Sequence, residues 1–446
     1  MTKTSTSSSE KKAKKVTIDE LVDLSRAAAA EAAEFQERFA AEDTESRKIV
    51  NIMEDFLRTK GRVAYGGAAI NAHMSSKNKF YDPALNLPDY DFMTPDPLQD
   101  CADLIVEFQK EGFTEVEAKF GIHEGTYKIF VNFRAAADIT YMPPEIYERV
   151  LKDSSKIEGI RYASPNFLRM NMYLELSRPA GMVSRWEKVY KRLLLLNEEH
   201  PIKAGHCSAK LFQPEPATEK SAIRNNRIIG IGIDAGAIFL SGIQYMLDET
   251  DVTSNEVVMM MTPHYQQLVV DIVAATQLVP TPYEELGELL PPRTELHTRG
   301  GTLVAVVFET VACHSYTTLP SPVSYRMASL DLLIQMYYAM YFAELQGYVP
   351  NRLLCVIQAL VQMEDEQRRK AVVTGGPAYD VFPLECIGHQ PTMPELKRAH
   401  RQRVLQKRKE LAGVMWKPSS SVRASQRKRK QSQNRKRTTT LRRSRS

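Results

Sequence analysis

The stretch Tyr65-Gly66-Gly67-Ala68-Ala69-Ile70-Asn71, followed by Asp89-Tyr90-Asp91-Phe92-Met93, decides how the rest of this chain is read. The first string reads as a strand running into a tight glycine turn and then a helix. Two glycines carry no Cβ, so their N–H groups can face a phosphate. The second string reads as a strand. Side chains two apart on a strand share a face, so Asp89 and Asp91 are expected side by side among apolar neighbours. Adjacent carboxylates repel, and burying them is costly unless a cation neutralises them. A divalent metal answers this, and oxygen donors suit magnesium or manganese.

A third string, Ala135-Ala136-Ala137-Asp138-Ile139-Thr140-Tyr141, sets a lone acid in an apolar, strand-like run. Unpaired acids are rare in such places. Each piece alone has an ordinary reading, as a solvated strand face or a plain turn. Together, three acids and a glycine turn can hold two metal ions for an in-line displacement at phosphorus.

Gly66-Gly67, Asp89-x-Asp91 and Asp138 resemble the nucleotidyltransferase superfamily of DNA polymerase beta type. The longer strings narrow the resemblance. Tyr65–Asn71, Leu87–Pro95, Ala137–Tyr141, Leu176-Ser177-Arg178-Pro179 and Arg185–Leu193 are similar to the poly(A) polymerase catalytic subunit of nucleocytoplasmic large DNA viruses. The similarity covers about residues 45–200 and runs more loosely to about 390. One departure is a gap between Gly67 and Asp89 longer than in most of the superfamily.

The resemblance implies template-independent transfer of AMP from ATP to an RNA 3′ end, with release of pyrophosphate. It implies Asp89, Asp91 and Asp138 as catalytic ligands of two Mg²⁺ or Mn²⁺ ions. It assigns Gly66, Gly67, Arg178 and Lys188 to the nucleotide. It also admits a processivity subunit or a homodimer as partner. The matching location is a cytoplasmic viral factory or the virion, with the nucleus as the alternative that a basic tail suggests.

Composition sets the frame. The 446 residues are 43% hydrophobic and 25% charged, ordinary globular material for two or three domains. No apolar run is long enough to span a membrane, and no signal-peptide core follows the polar start. The five cysteines, at 101, 207, 313, 355 and 386, are scattered and show no C-x-x-C, so a reduced chain without a disulfide framework is expected. Cys386-x-x-His389 has zinc-like spacing but no second pair. From Lys397 to Ser446 there are 19 Lys and Arg against one acid, Glu410. That segment is therefore +18, and within a total of +5 the rest of the chain is −13.

In chain order, residues 1–15 read as disordered and 16–60 as a helical segment opened by a Thr17/Glu20 capping box. Residues 61–200 read as the catalytic domain, in a mixed α/β (α+β) polymerase-beta-like fold. Helices are expected near 97–110, 165–176 and 182–197, with strands near 113–118 and 125–141. Lys128 is expected to face solvent, with contact to a triphosphate or primer as the alternative reading. In the helix 182–197, Arg185, Lys188 and Arg192 share one stripe, a contact surface for RNA or a triphosphate, with Arg185 and Arg192 assigned to RNA. Residues 396–446 form a basic, largely disordered tail, and Arg427, Lys428, Arg429 and Lys430 are its candidate RNA contacts.

Residues 201–395 read as a second, emptied copy. Gly236 matches Gly67, and Met260-Met261-Thr262-Pro263 matches Phe92-Met93-Thr94-Pro95. Ala312–Tyr316 matches Ala137–Tyr141, and Ser321-Pro322 matches Ser164-Pro165. On that alignment Asp89, Asp91 and Asp138 become Val257, Met259 and Cys313, and every metal ligand is lost. Two rival functions stay open. One is a nucleotidyltransferase of the same fold using another nucleotide or acceptor. The other is a non-catalytic RNA-binding scaffold.

Overall fold

The computed structural model describes residues 17–81, 88–207, 218–240, 257–287, 289–319, 325–345 and 349–410. Residues 1–15 and the candidate contacts Arg427, Lys428, Arg429 and Lys430 lie outside them.

Two helices lead in, α1 (Ile18–Glu42) and α2 (Thr44–Lys60). The capping box forms as expected: Glu20 N donates to Thr17 Oγ1, and Thr17 N donates to Glu20 Oε2. Asp43 caps α2, and Gly61 closes it in a left-handed conformation. The stripe Ile49, Met53, Phe56 and Leu57 of α2 is buried.

The first sheet takes β1 (Val63–Tyr65), β2 (Tyr90–Thr94), β3 (Val116–Phe120), β4 (Thr126–Val131), β5 (Arg134–Tyr141), β6 (Ser155–Ile157) and β7 (Ile160–Tyr162). Between them run α3 (Gly66–His73), α4 (Pro97–Lys110) and α5 (Pro144–Asp153); α6 (Pro165–Leu176) and α7 (Trp186–Glu199) follow. The run expected as one strand over 125–141 is a hairpin. Asn132 and Phe133 both take positive φ, at 48° and 67°, which turns β4 back into β5.

The second half supplies α8 (Glu219–Asp234), β8 (Ile238–Phe239), β9 (Val258–Thr262), α9 (Tyr265–Thr276), β10 (Val279–Tyr283), β11 (Arg293–His297), β12 (Leu303–Glu309), β13 (His314–Leu319) and β14 (Tyr325–Ala328). It ends with α10 (Leu330–Ala343), α11 (Pro350–Thr374), β15 (Cys386–Ile387) and α12 (Met393–Glu410).

The first sheet is ordered β3-β4-β5-β2-β1-β7-β6, and the second β10-β11-β12-β9-β8-β14-β13-β15. Strand for strand the senses agree. β2 and β5 are parallel, as are β9 and β12; β1 and β7 are parallel, as are β8 and β14. The pairs β1/β2 and β8/β9 are antiparallel. Local contacts repeat too. Thr94 Oγ1 accepts from Asp96 N before α4, and Thr262 Oγ1 accepts from His264 N before α9. Ser164 caps α6, and Ser329 caps α10.

This correspondence corrects two of the four string matches. Asp91 does map to Met259. Asp138, however, is the ladder partner of Asp91, and the ladder partner of Met259 is Val306. The counterpart of Asp138 is therefore Val306, not Cys313. Gly236 precedes β8, whereas Gly66 and Gly67 follow β1; the residues after Leu240 lie outside the described ones. Ser321 and Pro322 lie outside the described residues; the helix cap that answers to Ser164 is Ser329. Short strings recur by chance, while a strand ladder fixes register residue by residue.

The expected absence of disulfides is also corrected. Cys207 pairs with Cys355 and Cys313 with Cys386, leaving Cys101 as a buried thiol. The partners are 148 and 73 residues apart, so only tertiary packing brings them together. Cys386 is held by this bond, and His389 Nε2 lies 3.1 Å from Glu395 Oε2, so the zinc-like spacing is spent on other contacts.

The halves share a core. Residues of α6, α10 and α11 pack with Met259, Met261, Val306 and Phe308 of the second sheet. At this joint Arg368 Nη2 lies 2.7 Å from Asp331 Oδ2 and Arg368 Nη1 2.5 Å from Glu364 Oε1, while Tyr173 Oη donates to Glu364 Oε2 at 2.7 Å. Phe382 covers the Arg368 guanidinium and also meets Trp186 and Tyr190 of α7. The second half therefore seats the helix that carries Lys188 and Arg192.

Candidate active site

The glycine turn comes first. β1 pairs with β2 so that Tyr65 lies opposite Asp91, and the chain turns into α3 at Gly66. Gly66 has φ +71°, a conformation that side chains oppose. A Cβ there would lie 2.4 Å from Asp91 Oδ2. Glycine is thus what lets the Asp91 carboxylate reach the start of α3.

Asp91 is the partner of Asp138 in the parallel β2–β5 ladder. On the other side of β5, Lys128 is the partner of Asp138, and its Nζ pairs with Asp138 Oδ2. Lys128 keeps a partly exposed side chain, as expected, while its ammonium engages Asp138. The alternation of buried Tyr127, Ile129 and Val131 puts Lys128 on the opposite face of β4, and the β4–β5 register puts it beside Asp138. Asp89 sits just ahead of β2, not within it, and is exposed.

The three acids act on one another through charge. Burial raises the Asp91 carboxyl to about 7, with repulsion from Asp138 and Asp89 adding to it, and Lys128 and Arg185 opposing it. Asp89 as a whole residue reaches solvent, but its carboxyl is partly desolvated by the protein around it; this and then repulsion from Asp138 raise it, against Lys128 and Lys188. The trio forms one electrostatic cluster. Among the described residues, no three acidic, histidine or cysteine groups converge tightly enough to make a finished metal cage. The donor chemistry still fits a hard divalent cation: carboxylate oxygens that repel one another, one already held by an ammonium.

The basic residues of the following turn gather beside this cluster. A single 3-10 turn, Val183–Arg185, leads into α7. Arg185 Nη2 lies 3.1 Å from Glu175 Oε1. Burial raises the Glu175 carboxyl, and Arg185, Arg192 and Arg178 all oppose that rise. Arg192, one of the stripe expected to contact RNA or a triphosphate, lies over the glycine turn. Its Nη2 donates to Tyr81 Oη at 2.8 Å, and its guanidinium stacks 4.3 Å from the Phe80 ring centre. A Cβ on Gly67 would lie 3.1 Å from both Arg192 Nη1 and Tyr81 Oη. Asn71 Oδ1 accepts from Phe80 N and Tyr81 N, which fixes that loop against α3. Phe80, Tyr81 and Glu175 carried no sequence signal; they come to the site through the fold.

The emptied counterpart is packed. Met259 and Val306 are 5% and 1% exposed in the shared core. Opposite Val306, where Lys128 stands in the first sheet, is buried Glu295, paired with Arg293.

Residues 51–182 match the family model described as poly(A) polymerase catalytic subunit. A candidate poly(A) polymerase catalytic subunit of Acanthamoeba polyphaga mimivirus is 34% identical over 179 residues, 39% of this chain and 30% of that protein. One of African swine fever virus is 25% identical over 168 residues, 36% of this chain and 35% of that protein. The chain thus spans about a third of the length of these curated relatives. The crystal structure of the Megavirus polyadenylate synthase has the same fold, with a TM-score of 0.74 at 21% identity, covering 91% of this chain and 86% of that one. The resemblance read from the motifs holds for the matched region, and the mixed α/β class holds for the whole fold.

Proposed function

We propose that this chain is the catalytic subunit of a poly(A) polymerase, extending RNA 3′ ends with AMP from ATP. The observation that carries the reading is the placement of Asp91 against Gly66 and opposite Asp138, inside the matched region. Poly(A) polymerases generally use divalent metals. Asp89, Asp91 and Asp138 would hold two Mg²⁺ or Mn²⁺ ions, which when bound supply Lewis acidity and a more acidic 3′-hydroxyl.

The chain's own groups do the rest. The Gly66 and Gly67 N–H groups grip the triphosphate, where no Cβ intervenes. Arg192 and Tyr81 face the same turn, and Arg178 and Lys188 add positive charge. Asp138 takes the proton from the primer hydroxyl. The 3′ oxygen then bonds the α-phosphorus, and the bond to the β-phosphate oxygen breaks with its electrons leaving on pyrophosphate.

The test is extension of labelled RNA by the purified chain with Mg²⁺ or Mn²⁺ and each nucleoside triphosphate in turn. ATP-dependent extension is expected, falling about 10²–10³-fold in Asp138→Ala while ATP binding persists. Preference for CTP or UTP would give the activity to another enzyme of this fold. RNA binding with no extension from any nucleotide would leave a scaffold. Retained extension by Asp138→Ala would overturn the site. Assay with and without added viral partner proteins, and a sedimentation measurement, decide between a processivity subunit and a homodimer.

A further inference from the structure

The helix α12 (Met393–Glu410) is the chain's most basic described element, with seven Lys and Arg against two acids. It is not a free arm. Arg403 Nη2 donates to the Ile122 carbonyl at 2.7 Å, and Arg403 Nη1 lies 3.3 Å from Glu124 Oε2. Both anchors belong to the turn joining β3 to β4. That turn is tied in turn to the catalytic strand, because Tyr141 N donates to Gly125 O at 2.8 Å. Tyr141 stands three residues beyond Asp138 on β5, about 10 Å along the strand.

The inward residues of α12, among them Leu396, Ala399, His400 and Arg403, are partly buried. Lys397, Arg398 and Arg401 stay exposed on the opposite face. Positions 397 and 401 are one turn apart and lie over each other. The chain ahead of Lys397 carries a net −13, so a nucleic acid approaching that body is repelled, and this helix offers it the opposite sign.

We infer that the exposed face of α12, carried by Lys397, Arg398 and Arg401, is a phosphate-binding track for the RNA strand upstream of the 3′ end held near Asp138. The inference rests on the proposed substrate being RNA. The chemistry is sequence-independent: ammonium and guanidinium groups displace counterions from phosphates. The anchor on the β3–β4 turn makes the track a fixed part of the catalytic half.

The experiment uses the full chain with Lys397→Glu, Arg398→Glu and Arg401→Glu combined. A control reverses three exposed basic residues elsewhere, Arg26, Arg38 and Lys220. Binding of labelled single-stranded oligo(A) is followed without nucleotide across a salt series, and thermal melting confirms that each variant is folded. Each lost phosphate contact removes about 0.7 from the log–log salt slope on single strands, so the slope flattens by about 2 and affinity at 50 mM salt falls on the order of 10²-fold. The control changes neither by a comparable amount.

Unchanged affinity and slope in the α12 variant would overturn the inference. So would an equal loss in the control, which would show only the effect of net charge. Because binding is read without chemistry, a wild-type chain that holds RNA through this face yet extends nothing would sink the proposed activity and leave the track standing.

Discussion

Asp91 and Asp138 are paired across the parallel strands β2 and β5, and the same positions of the second sheet hold Met259 and Val306. One strand order thus appears twice in the chain, once with a carboxylate pair at its centre and once with an apolar pair. The charged pair is expensive in a half-buried place, which is why it marks the half that has a use for it.

Gly66→Ala should disable the site through geometry. The new methyl would meet Asp91 Oδ2 at 2.4 Å, at a φ of +71° that alanine resists. A stability loss of about 1–2 kcal/mol and a large drop in RNA extension are expected. Melting and activity assays check this, and an alanine variant of full activity would show that the turn can move away at no cost.

Asp91 makes the metal-free protein sensitive to pH. Its folded carboxyl titrates at about 7, above the ordinary 3.8. A raised carboxyl pKa means that the folded state holds its proton more tightly than the unfolded one. Its favourable share is complete below about 4 and is lost as pH rises through 7. Asp91→Asn should therefore melt a few degrees above the wild type at pH 8 in chelator, with the gap closing toward pH 4. A gap independent of pH would place the carboxyl elsewhere.

Tyr81→Phe separates binding from chemistry. It removes the hydroxyl that accepts from Arg192 at 2.8 Å but keeps the ring on which the guanidinium stacks. A hydrogen bond to a charged group is worth about 1.5–3 kcal/mol, so the KM for ATP should rise on the order of tenfold or more with kcat less affected. A pure kcat loss would argue that Arg192 does not serve the nucleotide.

Met259→Asp tests the emptied copy. The side chain is 5% exposed in a core shared by both halves, so a carboxylate placed there loses its water. A loss of several kcal/mol is expected, with no second activity gained. Chemical denaturation measures it; a variant as stable as wild type would mean that this face of the second sheet still opens to water.

The acids and the glycine turn were legible because each breaks a local rule: carboxylates in apolar strand runs, and two glycines between a strand and a helix. Helices such as Pro97–Lys110 and Pro165–Leu176 were legible from their caps and periodicity. The repeat was legible in kind but not in register. A five-residue string matched Asp138 to Cys313, and only the β9–β12 ladder shows that Val306 is the true counterpart.

What the amino-acid order settled by itself was therefore local: which segments alternate, which turn, and which place charge where charge is costly. What the tertiary structure decided was every relation between distant segments. It set Arg192 over Gly67, Lys128 on Asp138, and Cys207 on Cys355. The physical reason is that such contacts are won by burial and strand pairing across the whole chain, and no spacing within one segment records them.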